Sequence, residues 1–315
     1  MKRLVQALAA LILLWLVIRN VDMAALANTF GKVRLQSLGM AVAIFFLSCG
    51  LAASKWRLLW QKATWWQLLN ANFASQLYSL ILPGQLAGEV VKTFRVGRQF
   101  ADTTAVAASV VMDRATGLVG LLLLACAGAL ISRSAVAHSV LWLLALATIA
   151  ILCVLYAIAY PSIRSAAYSA SHTLGVRYRW LERVSAKAVA FMSAWATLVS
   201  KPRTTAIAVC LGIAYQVMCV GVNVIIARDL GIEIALADWC WVFGLVAIAL
   251  LLPLTLAGLG VREGTYAGLL GLLGVPIEKA VAVSILVFAI SLLGAVAGAA
   301  VELAALIRVG ARPGS

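Results

Sequence analysis

Apolar residues in this chain come in long continuous runs rather than alternating with polar ones. Runs long enough to form membrane helices are found at Leu4–Ile18, Leu38–Ser54, Thr103–Leu130, Val140–Tyr160, Thr204–Ala227 and Ala280–Ile307. A helix needs about 20 apolar residues to cross roughly 30 Å of hydrocarbon. Continuous runs point to helices, whereas a membrane barrel would alternate with a period of two. The first run is short and is expected to tilt or to continue through Val21–Phe30. Lys2 and Arg3 before it, and Ala25-Leu26-Ala27 after it, resemble a signal peptide. Arg19 and Asp22 intervene and everything downstream is membrane-like, so a retained helix is expected.

Two further segments are apolar at first, then broken, then charged. Gln67–Phe100 contains Leu82-Pro83-Gly84-Gln85-Leu86-Ala87-Gly88-Glu89-Val90-Val91-Lys92. Leu236–Val275 contains Pro253-Leu254-Thr255-Leu256-Ala257-Gly258-Leu259-Gly260-Val261-Arg262-Glu263-Gly264. The breaks at Pro83, Gly84 and Gly88, and at Pro253, Gly258 and Gly260, interrupt the helical pattern. Broken backbone at membrane depth persists only inside protein or beside a wet cavity. Both segments are expected to be re-entrant hairpins.

Charge supports this topology. With Lys2 and Arg3 in the cytoplasm, Lys55–Lys62 falls inside, and a hairpin over Gln67–Phe100 keeps Lys92, Arg95 and Arg98 inside as well. Arg133 falls outside, the basic Pro161–Arg203 stretch inside, Arg228–Asp238 outside, and Arg308 and Arg312 inside. Every heavily basic loop except Arg19–Arg34 then obeys the positive-inside rule. The expected fold is an all-α polytopic membrane protein with about six full transmembrane helices and two re-entrant helical hairpins. The hairpins belong to an inverted-topology repeat, about 38–130 and about 204–307, within a single membrane domain over 1–315. The basic segment at about 161–203 is expected to be a cytoplasmic amphipathic surface helix, and both termini are expected in the cytoplasm. Paired interrupted segments in opposed halves point to a substrate site near the midplane.

Composition narrows the function classes. Of 315 residues, 64% are hydrophobic and 11% charged, with mean hydropathy +1.04. Soluble domains are about 45–50% apolar and about 25% charged. The formal charge of +14 sits in short loops beside apolar runs, where it meets anionic head groups, so nucleic acid is not an expected partner. The six cysteines lie in or beside apolar runs with no CxxC pair, and His138 and His172 are far from any Cys or carboxylate cluster. No metal site or cofactor is expected. The Lys55-Trp56-Arg57 to Trp65-Trp66 segment has the composition of a headgroup layer and is expected at the interface.

Charged side chains in hydrocarbon cost about 2.5–3.5 kcal/mol each, so they need partners or a purpose. Glu89 follows Gly88 just past a break, with Lys92 and Arg95 one and two turns on; the plain alternative is an interfacial carboxylate with anchoring cations. Asp113 and Arg114 lie about 15 Å into their span at 1.5 Å per residue, near the midplane. Neighbours on a helix point about 100° apart, so each needs a partner elsewhere. Arg114 is a candidate phosphate ligand, and Asp113 is expected to position it or to pair with Arg262, a purely structural ion pair being the alternative. Arg262 and Glu263 follow the second break and mirror Glu89 and Lys92, unless they form an outer-loop pair. Gln216 and Asn223 share a helix face and read as helix–helix hydrogen bonds. No Ser/His/Asp set, GxxxxGK[ST] or HExxH is present, so no catalytic activity is expected.

In order and spacing, Leu82-Pro83-Gly84…Gly88-Glu89…Lys92, Asp113-Arg114 and Pro253…Gly258-Leu259-Gly260…Arg262-Glu263 resemble the lysylphosphatidylglycerol synthase transmembrane (flippase-like) family. The resemblance covers nearly the whole chain. It implies a polytopic fold that translocates lipids or lipid-linked groups across the bacterial inner membrane. Members that aminoacylate phosphatidylglycerol carry a large cytoplasmic synthase domain; this chain ends at Ser315, just past its last helix, and is expected to be a stand-alone member. The expected substrate is a phospholipid or lipid-linked glycan with an anionic head group, held by Arg114, Arg262 and Lys92 or Arg95 and balanced by Glu89 and Glu263. A homodimer or a lipid-modifying enzyme remains open as partner. A membrane enzyme acting on a lipid phosphate or glycolipid, and a non-transporting partner of such an enzyme, are the alternatives.

Overall fold

In a computed structural model, described here for residues 15, 19, 21–82, 87–160, 190–252 and 255–310, the described residues form helices joined by short turns. The apolar run Leu4–Ile18 (apart from Trp15), residues 161–189, Pro83, Gly84, Pro253 and Arg312 lie outside that set. The helices are α1 (Met23–Phe30), α2 (Leu35–Leu59), α3 (Trp65–Ile81), α4 (Ala87–Gln99), α5 (Thr103–Ile131) and α6 (Ala135–Ala159). They continue with α7 (Ala190–Val199), α8 (Pro202–Asp229), α9 (Leu236–Leu251), a 3₁₀ turn at Leu256–Gly258, α10 (Val261–Gly271) and α11 (Ile277–Gly310). By length and composition α2, α5, α6, α8 and α11 can each cross a membrane. The protein is a multi-pass membrane protein.

Local chemistry sets the boundaries. Thr64 starts α3 with a reciprocal cap: Gln67 N–H donates to Thr64 Oγ1 at 3.3 Å and Thr64 N–H to Gln67 Oε1 at 2.8 Å. The Asp102 carboxylate accepts from Ala105 N–H at 3.1 Å at the start of α5. The second span was expected to stop at Ser54, but α2 runs on to Leu59. The residues past Ser54 continue as helix because Lys55 and Trp56 have partners inside the protein. Both are buried.

The helix lengths fall into two similar sets. Long, short, short, long describes α2–α3–α4–α5 (25, 17, 13 and 29 residues) and again α8–α9–α10–α11 (28, 16, 11 and 34). All four short helices fall below the roughly 20 residues of a full crossing. The sets interlock: α2 packs on α8, α5 packs on α9, and α11 packs on α3. Close approach in the last two pairs depends on small residues. A Cβ on Gly128 of α5 would lie 2.6 Å from the Ala237 carbonyl of α9, and one on Gly298 of α11 would strike the Phe73 carbonyl of α3. The sequence carries the same correspondence. Leu-Pro-x-x-Leu-Ala-Gly occurs at 82–88 and at 252–258, an offset of 170 positions, and Gly128 and Gly298 are also 170 apart.

The larger core joins α5, α8, α9, α10 and α11 through Leu122, Ile226, Trp239, Tyr266, Leu270 and Ile290. A smaller one, with Trp56, Leu68, Val96 and Val106, ties α2 to α5 together and adjoins the charged cluster described next. α6 packs mainly on α5 and presents Trp142, Leu143, Leu146 and Ile149 outward, as a lipid-facing helix does.

Candidate functional site

The first broken segment delivers Glu89 into the protein. α4 lies so close to α3 at Gly88 that a Cβ there would strike the Ser75 carbonyl and the Ser79 hydroxyl. The next residue, Glu89, is thereby set beside Ser75, whose Oγ donates to Glu89 Oε1 at 3.4 Å. Lys92, one turn on, brings Nζ to 2.7 Å from Glu89 Oε2. Its ammonium also donates to Asn72 Oδ1 at 3.2 Å and lies over the Trp56 ring, 4.6 Å from the centroid. Arg114, reaching from α5, donates to Glu89 Oε1. One carboxylate therefore holds two cations. Charge-assisted bonds of this kind are about twice as strong as neutral ones.

The two cations differ in surroundings. The Lys92 side chain is 3% exposed, whereas that of Arg114 is 52% exposed. Arg114 is the twelfth residue of a 29-residue helix, so its half-exposed side chain starts near the middle of the span.

Asp113 does not pair with Arg262, one of the two roles expected of it. Its partner is Lys55 of α2, with Nζ 3.2 Å from Oδ1 and 2.7 Å from the Asp113 carbonyl oxygen. Sequence reasoning missed Lys55 because a lysine beside tryptophan and arginine at a helix end has the composition of an interfacial anchor. Asp113 and Arg114 do diverge as their helical spacing requires, one toward α2 and the other toward α4. Arg95 also has its own partner, Glu302 of α11, which likewise escaped the sequence reading. Its ion pair binds α4 to the last helix, away from Glu89.

The second broken segment builds a closed arrangement. Arg262 Nη2 lies 3.1 Å from Glu263 Oε1, and its guanidinium stacks 4.0 Å from the Phe288 centroid. Glu263 Oε2 accepts from Gly260 N–H at 2.6 Å, and Ser284 Oγ donates to Oε1 at 3.2 Å. Gly260, at φ +81°, and Gly258, at φ +74°, take the left-handed turns that a Cβ would resist. Glu263 thereby caps the start of α10, and both members of the pair are buried. The predicted residues form two separate groups, Glu89–Lys92–Arg114 and Arg262–Glu263. The hairpins still touch, because the 3₁₀ turn packs on α3.

Gln216 and Asn223 tie helices together, as their positions suggest. Gln216 Nε2 donates to the Gly117 carbonyl at 3.2 Å, and Tyr266 OH donates to Asn223 Oδ1 at 2.5 Å, joining α8 to α5 and to α10.

Apolar helices long enough to cross a membrane, with buried ionic clusters between them, define a polytopic membrane protein. The family of the lysylphosphatidylglycerol synthase TM region matches residues 3–298, and the chain belongs to it. That family places it among membrane proteins of the lipid-biosynthesis or flippase type. No curated protein and no solved structure matches the chain.

Proposed function

We propose that this protein is a flippase that moves a lipid, or a lipid-linked group with an anionic head, across the bacterial inner membrane. In this reading α3–α4 and α9–α10 are re-entrant hairpins entering from opposite faces, and the termini are cytoplasmic. The interlocked long-short-short-long sets and the repeated Leu-Pro-x-x-Leu-Ala-Gly support it. Both hairpins place a glutamate after a glycine break, as paired interrupted segments of transporters do around a substrate site.

The observation that carries the proposal is the half-exposed side chain of Arg114, the most exposed member of the Glu89 cluster, near mid-span. A bare charge in hydrocarbon is costly, so the exposed part faces water or an anion. An arginine fork suits the oxygens of a phosphate group. Without substrate, Glu89 occupies one side of the fork; when a head group arrives, Arg114 turns to it while Lys92 retains Glu89. The charged head then meets fixed charge in place of its lost water, and its tail stays in lipid. Glu89 thus serves as a placeholder, and the protein acts as a transporter without chemistry on the lipid. Arg262 and Glu263, paired with each other, hold the second hairpin in shape beside the first.

Proteoliposomes containing fluorescent anionic lipid test this reading. Wild type translocates the label, Arg114→Ala abolishes translocation, and Arg262→Ala weakens it. Equal rates in all three would end the proposal.

A further inference from the structure

The repeated sequence allows the two hairpin sites to be compared position by position. Ser284 lies fourteen residues before Gly298, as Arg114 lies fourteen before Gly128. Both reach the glutamate of the neighbouring hairpin: Arg114 bonds Glu89 and Ser284 bonds Glu263. A neutral hydroxyl therefore stands in the second half where the first has a cation. The second half has four more residues between Leu-Pro-x-x-Leu-Ala-Gly and its glutamate, Leu259 to Arg262. That insertion supplies Arg262, a cation fixed beside Glu263 and enclosed against Phe288.

The charge of each site follows. In the second, one arginine meets one glutamate and nothing is left over. In the first, Lys55 is matched by Asp113, while Lys92 and Arg114 share Glu89. Three cations meet two carboxylates, and the surplus charge is assigned to Arg114, whose side chain is the most exposed of the three. The Arg95–Glu302 pair, also on α4, is matched and adds nothing to the balance.

We infer that the first hairpin site has the capacity for one negative charge and selects a monoanionic phosphodiester over a dianionic phosphomonoester, while the second site takes no external anion. The inference rests on the flippase reading of this site and specifies its substrate class. A diester phosphate brings one charge and neutralises the surplus on Arg114. A monoester at about pH 8 carries nearly two, its second pKa lying near 6, and would leave one negative charge uncompensated in a low-dielectric site. Glu89 sets the limit as well as holding the place: without its charge, the site has two cations to spare.

The test is binding of water-soluble short-chain lipids to the purified full-length protein in nanodiscs at pH 8. The probes are dihexanoyl phosphatidylglycerol, a diester, and dihexanoyl phosphatidic acid, a monoester. The wild type is expected to bind the diester at least about tenfold more tightly. Glu89→Gln is expected to reverse that order, and Arg114→Gln to lose both ligands. Arg262→Met/Glu263→Gln, which removes a cation and a carboxylate together, is expected to leave the preference unchanged. Thermal unfolding of each variant confirms that it is folded before binding is compared, and Glu89→Asp, which keeps the charge, is expected to keep the wild-type order should Glu89→Gln fail to fold. Equal binding of both probes by the wild type, an unchanged order in Glu89→Gln, or a reversed order in Glu89→Asp would overturn the one-charge inference while leaving the flippase reading in place. No binding of either probe by folded wild type would overturn the reading itself.

Discussion

Lys55 and Asp113 form a buried pair between the end of α2 and the middle of α5, with Nζ 3.2 Å from Oδ1. The same ammonium donates to the Asp113 carbonyl oxygen at 2.7 Å, so it bonds side chain and backbone of one residue. This fixes α5 in rotation. With Asp113 turned toward α2, Arg114 is turned toward α4 and Glu89.

Removing one member of such a pair leaves a charge buried without compensation, which costs about 3–5 kcal/mol, whereas removing both costs far less. Lys55→Met is therefore expected to lower the thermal unfolding midpoint of the detergent-solubilised protein sharply. Lys55→Met/Asp113→Asn is expected to recover most of that loss. Equal destabilisation by the single and double substitutions would show that the pair is not what holds α5.

Gly88 sets the spacing of the first hairpin. A Cβ there would run into the Ser75 carbonyl, a backbone atom with no freedom to step aside, and overpacking typically costs about 1–3 kcal/mol. Gly88→Ala is expected to push α4 off α3, lower thermal stability by that amount and reduce lipid translocation in proteoliposomes. Gly268→Ala meets nothing within 4 Å and is the matched control, expected to be neutral in both assays.

The Tyr266–Asn223 bond joins α10 to α8 inside the larger core. Tyr266→Phe removes the donor and leaves the Asn223 carbonyl oxygen buried without it, at a cost of about 1–3 kcal/mol. Thermal unfolding is expected to show that loss, with family-typical helical content retained by circular dichroism. A midpoint equal to wild type would mean that water or another donor replaces the hydroxyl.

The long helices were legible because a run of apolar residues in lipid has few alternatives to a helix: α5 and α11 extend no more than three residues beyond their predicted ends at either side. The site was legible in part. Asp113 and Arg114 stood out as charges at mid-span, and Glu89 as a carboxylate after a break. Their partners were harder to find because pairing depends on helix rotation, which spacing along one helix does not give. Lys55 resembled a headgroup anchor, and Glu302 was a single acid near the end of the last run. Pairing Asp113 with Arg262 assumed that both hairpins converge on one charge cluster; the structure gives each its own counter-ion. The Leu-Pro-x-x-Leu-Ala-Gly repeat was the available signal for the correspondence between Arg114 and Ser284.

The central claim is that the exposed part of the Arg114 side chain faces a wet, ligand-accessible chamber rather than acyl chains. Arg114→Cys, in protein whose six native cysteines are replaced, can be exposed in proteoliposomes to a membrane-impermeant thiosulfonate reagent. Reaction at residue 114 with the reagent supplied from the aqueous phase is the predicted result. A folded protein whose thiol at this position resists the reagent on both faces of the membrane would contradict it.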